Sequence, residues 1–191
     1  MKLLLVGGSF NPVHVGHLIM AEEIRAEFDY DLVLLVPSFR PPHKDLVNEP
    51  GPEHRLAMLK LAAAGDPSLA VEDCELRRGG LSYTIDTLTE IVGRYAIEGK
   101  AGLVIGDDLI PGFGTWHRPA DIAKAADLVC VHRRSVDELP LQYPHRYAHN
   151  SLIQLSSSMV RERISEGRPF RRLLDPPVYE YIQKHGLYGL Q

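Results

Sequence analysis

The stretch that decides the fold runs from Lys2 to Met20 and reads KLLLVGGSFNPVHVGHLIM. Its apolar run, Leu3–Val6, is too short for a helix and stops at two glycines, which is typical of a buried strand in a parallel sheet. A turn follows, and apolar residues at helical spacing then predict a helix over Val15–Phe28. A strand, a glycine turn and a helix N-terminus in this order can bind an anion, because backbone N–H groups and the helix dipole face one crevice.

Two histidines distinguish this turn from an ordinary one. His14 and His17 are three residues apart, so both imidazoles should lie on one face of the first helical turn, and Gly16 leaves room for a close approach. Imidazoles form hydrogen bonds to phosphoryl oxygens near neutral pH, whether charged or neutral. A histidine pair taken alone is more often a surface or metal-binding pair. Because this pair follows a buried strand and two glycines, we predict a phosphate site.

The segment GSFNPVHVGH resembles the G-x-F-x-P-x-H-x-G-H signature of the nucleotidyltransferase superfamily, whose members transfer a nucleoside monophosphate from a nucleoside triphosphate. The resemblance implies that both histidines contact the triphosphate and stabilise the transition state, and that Gly8, Ser9 and Phe10 contribute to ATP binding. Ser9 stands where Thr is usual and Asn11 where Asp is usual. Both changes keep a hydroxyl or a turn-forming residue, so the expected fold and chemistry are unchanged.

A second motif, LSSSMVRERI, lies at Leu155–Ile164. On a predicted helix Ser157 and Arg161 are four residues apart, so the guanidinium should lie one turn above the hydroxyl. Taken alone, helix capping together with a solvated arginine explains this pattern as well as an anion site does. It also resembles the I-S-S-T-x-I-R motif of bacterial adenylyltransferases, with conservative departures. That resemblance implies that Ser157, Ser158 and Arg161 hold the ATP phosphates, and that Arg161 joins the two histidines as a catalytic residue.

Two further stretches resemble bacterial nicotinate-mononucleotide adenylyltransferases and so indicate the acceptor. SYTIDT, Ser82–Thr87, matches their S-Y-T-x-D-T stretch, which implies that Thr84, at a helix start, receives the acceptor carboxylate. Plain helix capping is the alternative. PPHK, Pro41–Lys44, implies that His43 and Lys44 bind the acceptor phosphate or the leaving pyrophosphate. Without the resemblance, they would be interpreted as solvated charges.

Three other places carry roles implied by the same resemblance. Gly106 and Asp108 follow a predicted strand, and their counterparts contact the adenosine ribose, although an acidic pair can also cap the next helix. Trp116, the only tryptophan, corresponds to a residue that stacks on the pyridine ring, while closing its own loop is the alternative. Arg133 or Arg134 corresponds to the arginine that binds the mononucleotide phosphate. Which of the two does so stays open.

Length and composition limit the other possibilities. The 191 residues suit one α/β domain spanning 1–191. The net charge of −4 and the lack of a basic run argue against a nucleic-acid partner. No stretch approaches the ~20 apolar residues of a membrane span, and the N-terminal strand argues against a signal peptide. Cys74 and Cys130 lie far apart without metal-ligand spacing, so we expect buried thiols in a reducing cytoplasm.

The remaining pattern predicts alternating strands and helices, with a long polar connection over Arg133–Asn150. On the second helix the apolar face is predicted at Leu56, Leu59, Lys60 and Ala63, and on the third at Ile85, Leu88, Ile91 and Val92. The other predicted strands are Leu32–Val36, Leu69–Leu76, Gly102–Ile105, Leu128–His132 and Ser151–Leu155. The other predicted helices are Glu53–Ala64, Ser82–Tyr95, Ala120–Ala126, Ser157–Glu166 and Pro177–His185.

The resemblance covers nearly the whole chain. It implies a doubly wound, Rossmann-like α/β fold with a parallel sheet, and transfer of AMP from ATP to nicotinate mononucleotide in NAD biosynthesis. We expect direct in-line attack without a covalent intermediate, with Mg²⁺ held mainly by substrate phosphates and no metal ligands from the protein. Another adenylyl- or cytidylyltransferase, such as a pantetheine-phosphate adenylyltransferase, and a non-catalytic nucleotide-binding module are the alternatives. A homo-oligomer and the preference for nicotinate over nicotinamide are left open.

Overall fold

The computed structural model describes residues 1–40 and 50–190. Six parallel strands form one sheet in the order β3-β2-β1-β4-β5-β6. The strands are β1 Leu3–Gly8, β2 Leu32–Pro37, β3 Leu69–Val71, β4 Ala101–Gly106, β5 Ala126–Val131 and β6 His145–Tyr147. The strand order reverses between β1 and β4, which opens a crevice at the carboxyl ends of these strands. The predicted doubly wound parallel fold is confirmed.

Helices cover both faces of this sheet. They are α1 Val15–Glu27, α2 Pro52–Ala63, α3 Cys74–Arg78, α4 Thr84–Arg94, α5 Pro119–Ala125, α6 Ser157–Ser165 and α7 Pro176–His185, with 3₁₀ turns at Ile110–Thr115, Arg171–Leu173 and Leu187–Gly189. Helices α1, α2, α6 and α7 pack in one core cluster, and α3, α4 and α5 pack in the other. None of the helices in the described ranges has the length and apolar character needed to cross a membrane.

Strand β1 shows why its apolar run has no polar alternation. Leu4 and Val6 belong to the core cluster on one face, whereas Leu3 and Leu5 belong to the cluster on the other. Successive side chains of a strand point to opposite faces, so a strand covered on both sides needs apolar residues at every position. All four side chains are at most 3% exposed.

The predicted strand over Leu69–Leu76 is wrong beyond Val71, because Cys74–Arg78 forms helix α3. The alternation of apolar and polar residues in this stretch reflects the burial of Glu72 rather than a strand. The buried carboxylate of Glu72 accepts the N–H of Cys74 at 3.1 Å and two hydrogen bonds of 2.7 Å from Arg94. Glu72 is therefore an ion-paired residue next to a helix start, and the chain leaves the sheet at this point.

The predicted last strand, Ser151–Leu155, is also wrong. The sixth strand is His145–Tyr147, inside the segment predicted as a connection, and it pairs with only three residues of β5. Its short polar sequence carries no strand pattern. Beyond it the side chain of Asn150 continues the pairing, since its Oδ1 accepts the N–H of His132 and its Nδ2 donates to the His132 carbonyl, both at 2.9 Å.

Two predicted apolar faces are shifted. Val92 is 51% exposed, so the buried face of α4 is formed by Ile85, Leu88 and Ile91. On α2 the buried residues are Arg55, Met58 and Leu59, whereas Lys60 is exposed. The helix therefore turns a charged residue, Arg55, towards the core.

Candidate active site

The turn after β1 is shaped by Phe10. Its backbone has a φ of 45°, in the left-handed region that bulky residues rarely adopt, and its side chain is 1% exposed. The ring covers Gly8, where a Cβ atom would come within 3.3 Å of it. The ring also makes an edge contact with the imidazole of His17, with centroids 5.0 Å apart. Phe10 thus lies under the histidine face and sets the path of the turn.

The two histidines stack on each other at the start of α1. His14 precedes the first helical residue, and its ring lies 3.7 Å from that of His17 with an interplanar angle of 25°. The predicted shared face is confirmed. The backbone N–H of His14 donates to Nδ1 of His17 at 3.2 Å. Because Nδ1 acts as the acceptor, the proton of a neutral His17 lies on Nε2, which is therefore a hydrogen-bond donor.

The imidazole of His14 is buried and held neutral. Its residue is 3% exposed, and within residues 1–40 and 50–190 neither ring nitrogen has a hydrogen-bond partner. Burial, and then the positive charge of Arg133, lowers the pKa of His14 to about 4. A buried polar group without a partner is costly, so such groups commonly mark functional positions. The ring lies close over Gly16, where a Cβ atom would be 3.2 Å from Nδ1.

The second motif is bonded directly to this turn. Arg161 donates from Nη1 to the carbonyl of Asn11 at 2.7 Å, and the hydroxyl of Ser157 donates to the carbonyl of Pro12 at 2.9 Å. The other guanidinium nitrogen of Arg161 donates to the hydroxyl of Ser158 at 3.1 Å, so Arg161 contacts Ser158 rather than Ser157. The fold thus brings the two sequence motifs together, as the phosphate-site interpretation requires.

A cavity of about 360 Å³ lies between the histidines and the chain that enters α6. Among the residues with predicted roles, its walls contain His14, His17, Asp108, Arg133 and Arg134. The remaining wall residues are Gly16, Met20, His132, Asn150, Ser151, Ile153, Gln154, Leu155, Ser156 and Met159. Ile153 and Leu155, predicted to lie in a strand, instead form part of this wall.

The loops after β4 and β5 hold each other at one side of the cavity. Asp108 accepts two hydrogen bonds from Nη1 of Arg133, at 3.1 and 3.2 Å. Asp107 accepts the backbone N–H groups of Arg134 and Ser135 at 2.9 and 3.0 Å. Burial alone would raise the pKa of Asp107, but these backbone N–H groups outweigh it and hold the pKa below its usual value. At Gly106 a Cβ atom would lie 2.6 Å from Cδ of Arg133, so a larger residue here would displace the Arg133 side chain.

The predicted acceptor residues are divided between two places. Arg133 and Arg134 lie in the cavity with the histidines, whereas Thr84 and Trp116 are not among its walls. Thr84 is the first residue of α4, and the preceding Tyr83 packs on His117, with ring centroids 4.4 Å apart. Trp116 packs on Phe113 at 5.0 Å, a contact that also fits its alternative role of closing the loop. His43 and Lys44 lie outside the described residues.

Comparison with known proteins identifies the family. Residues 5–163 match the family model described as Cytidylyltransferase-like. A protein of Borrelia garinii subsp. bavariensis named "Probable nicotinate-nucleotide adenylyltransferase" is 37% identical over 188 residues, which cover 98% of this chain and 95% of the relative. The chain belongs to the nicotinate-nucleotide adenylyltransferase family. Relatives of the same name in Treponema pallidum (strain Nichols) and Streptococcus pyogenes serotype M1 are 36% and 38% identical, covering 98% and 96% of this chain and 99% and 87% of theirs.

Solved structures share the fold of this nucleotidyltransferase. The Plasmodium falciparum nicotinic acid mononucleotide adenylyltransferase complexed with NaAD superposes with a TM-score of 0.79 at 19% identity, covering 100% of this chain and 98% of that one. The same enzyme complexed with APC gives a TM-score of 0.75 at 18% identity, with the same coverage of both chains. The likeness to these solved structures extends over the whole fold of the chain.

One residue of this adenylyltransferase escaped the sequence interpretation. Arg55 on α2 is 0% exposed, and its Nη1 donates to the carbonyls of Ser9 and Ser38, both at 2.8 Å. Ser9 belongs to the histidine turn. A signal was present, because Arg55 precedes the buried Met58 and Leu59 by three and four residues and so shares their helix face.

The last feature of the site is its set of potential metal ligands. Among the residues that the structure describes, no group of three or more His, Cys, Asp or Glu side chains is arranged to hold a metal ion. The expectation that the protein supplies no metal ligands stays a prediction.

Proposed function

We propose that this chain, acting as a single domain over residues 1–191, transfers AMP from ATP to nicotinate mononucleotide. The products are nicotinate adenine dinucleotide and pyrophosphate, in a step of NAD biosynthesis. The observation that carries the proposal is the stacked pair of His14 and His17 at a helix start, with Arg161 bonded to the same turn. Membership of the nicotinate-nucleotide adenylyltransferase family supports the choice of acceptor.

In this proposal the triphosphate lies across the N-termini of α1 and α6. Both termini provide backbone N–H groups and the positive end of a helix dipole. His17 contacts the α-phosphate through its Nε2–H group, while His14 and Arg161 contact the β- and γ-phosphates. A neutral His14, with its pKa near 4, acts as a hydrogen-bond partner rather than as a charge. Ser158, whose hydroxyl is bonded to Arg161, lies at the same helix start and completes this set.

The other residues assigned to ATP binding shape the site. Gly8, Ser9 and Phe10 form the turn below the phosphates, and Phe10 supports the ring of His17. Ser157 acts through its bond to Pro12, which holds α6 against the turn. Gly106 and Asp108 are assigned to the adenosine ribose, since both lie at the carboxyl end of β4, next to the crevice.

The chemistry is a direct displacement at phosphorus. A phosphate oxygen of the acceptor attacks the α-phosphorus, and the bond from that phosphorus to the oxygen bridging to the β-phosphate breaks as pyrophosphate leaves. The acceptor phosphate is already ionised near neutral pH, so no protein nucleophile is required. The protein contributes positioning and stabilisation of charge on the phosphoryl oxygens. Mg²⁺ enters as part of the substrate MgATP, because it prefers phosphate and water oxygens.

The acceptor is assigned partly outside the cavity, with its phosphate at the cavity wall and its carboxylate and ring near the start of α4 and Trp116. Thr84 and the N–H groups at the start of α4 receive the carboxylate, and Trp116 stacks on the pyridine ring. Since Arg133 is already engaged by Asp108, we assign the acceptor phosphate to Arg134. His43 and Lys44 are assigned to the phosphate or the leaving pyrophosphate on the sequence resemblance alone. The two free buried thiols, Cys74 and Cys130, support a place in the reducing cytoplasm.

The test is pyrophosphate release with ATP and Mg²⁺, with nicotinate mononucleotide, nicotinamide mononucleotide and phosphopantetheine offered in parallel. We expect the fastest turnover with nicotinate mononucleotide, and its ratio to the amide measures the preference. Turnover with phosphopantetheine alone would keep the donor site and overturn the acceptor assignment. No turnover from folded protein that binds ATP would favour a non-catalytic nucleotide-binding module.

A further inference from the structure

The side chain of Arg55 is the largest in the described residues that is fully buried. It lies on the core face of α2 beside Met58 and Leu59, where a methionine would fill similar space. Removing a guanidinium from water is costly, and apolar residues of similar volume often replace buried charges without loss of stability. An arginine at such a position therefore indicates a requirement other than core packing.

The hydrogen bonds of Arg55 join two loops. Nη1 donates to the carbonyl of Ser9 in the histidine turn and to the carbonyl of Ser38, which follows β2, both at 2.8 Å. Nη2 reaches the carbonyl of Phe39 at 3.4 Å. A guanidinium is planar, with its donors in a fixed fork, so it fixes the separation of the carbonyls that it binds. Arg55 thus sets the spacing between the turn after β1 and the loop after β2.

The loop after β2 is in turn bonded to the start of α4. The N–H of Phe39 donates to the hydroxyl of Ser82 at 2.9 Å, and the N–H of Ser82 donates to the carbonyl of Arg40 at 3.0 Å. Ser82 lies two residues before Thr84, to which the acceptor carboxylate is assigned. A series of contacts therefore runs from Ser9, in the turn after β1, through Arg55 and the loop after β2. It ends at Ser82, beside the proposed carboxylate site at Thr84.

We propose that Arg55 is a positioning residue that fixes the acceptor carboxylate site at the start of α4 relative to the turn that binds the α-phosphate of ATP. It acts through Ser9 and the loop after β2, and the inference rests on the proposed adenylyl transfer. The turn that carries His14 and His17 is held separately. Arg161 bonds to the carbonyl of Asn11, and Ser157 bonds to that of Pro12. Loss of Arg55 should therefore misalign the two substrates while leaving the ATP site largely formed.

The experiment compares Arg55→Met with the wild type in pyrophosphate release from ATP and nicotinate mononucleotide. We expect kcat to fall about 10- to 100-fold, the scale for a small misplacement of reacting groups, while the Kd for ATP measured by calorimetry changes by less than about threefold. Arg55→Lys keeps the charge and some donors, so it should recover part of the lost kcat. Met58→Ala is the matched control, because it weakens the same buried face without removing a hydrogen bond to either loop.

Each outcome decides the proposal. An Arg55→Met protein that folds and keeps kcat within about twofold of the wild type overturns it, as does a loss of kcat equal to that of Met58→Ala. If Arg55→Met does not fold, Ser82→Ala tests the far end of the bonded series, and an unchanged kcat there overturns the proposal. A wild-type protein without turnover would instead overturn the proposed function, so the two failures are distinguishable.

Discussion

The guanidinium of Arg161 donates a hydrogen bond of 2.7 Å to the backbone carbonyl of Asn11, 150 residues earlier in the chain. The bond joins the helix α6 to the turn that carries His14 and His17. The hydroxyl of Tyr188 donates to Oδ1 of the same asparagine at 2.9 Å, so the C-terminal segment holds the turn as well. The turn that carries both histidines is therefore held in place by segments that come late in the sequence.

Ser157 tests this junction. The Ser157→Ala variant loses the bond to Pro12, and we expect a loss of about 1 kcal/mol in the free energy of unfolding and a fall of about tenfold in kcat/KM for ATP. Ser165→Ala is the control, since that hydroxyl donates to the carbonyl of Glu162 at the exposed end of the same helix. Urea unfolding and steady-state kinetics of both variants measure the difference. Equal kinetics for the two variants would contradict a role of Ser157 at the junction.

Gly16 tests the closeness of the histidine stack. A Cβ atom at this position would lie 3.2 and 3.3 Å from two atoms of the His14 ring. We expect Gly16→Ala to fold and to lose about tenfold or more in kcat, because a small displacement of a catalytic group is costly. Gly93→Ala is the matched control, since a Cβ there meets nothing within 4 Å. A Gly16→Ala protein as active as Gly93→Ala would contradict the required proximity.

The buried His14 should make stability depend on pH. Its folded pKa is about 4 and its unfolded pKa near 6.5, so between these values the unfolded chain binds the extra proton. Stability from this group is therefore complete above pH 6.5 and is lost as the pH falls towards 4, by up to about 3 kcal/mol. Urea unfolding at several pH values should show this loss in the wild type and a flatter profile in His14→Gln. Parallel profiles would mean that His14 is not the titrating group.

The two neighbouring arginines can be separated by kinetics. Because Arg133 pairs with Asp108, we expect Arg134→Ala to raise KM for nicotinate mononucleotide by about tenfold or more, the scale for a lost charged hydrogen bond. Arg133→Ala should affect KM for ATP more than KM for the acceptor. Measuring both KM values for both variants decides the assignment, and the reverse pattern would transfer the acceptor phosphate to Arg133.

Local patterns in the sequence predicted the local features of the site. The spacing of His14 and His17 predicted their shared face, and the apolar runs predicted the central strands, because both depend on residues close in sequence. Strand β6 escaped prediction because three polar residues at a sheet edge have no period to detect. The roles of Arg55 and Asn150 escaped for another reason. Their partners are backbone groups brought close only by the fold, and no pattern in the sequence encodes such contacts.

The most direct test of the account is kcat for His17→Ala in pyrophosphate release from ATP and nicotinate mononucleotide. Circular dichroism first establishes that the variant is folded, and His149→Ala, an exposed histidine paired with Glu27, serves as the control. We expect kcat of His17→Ala to fall about 10²- to 10³-fold, the scale for losing one preorganised donor to the phosphoryl oxygens. A folded His17→Ala protein with kcat near that of the wild type would contradict the proposed catalytic turn.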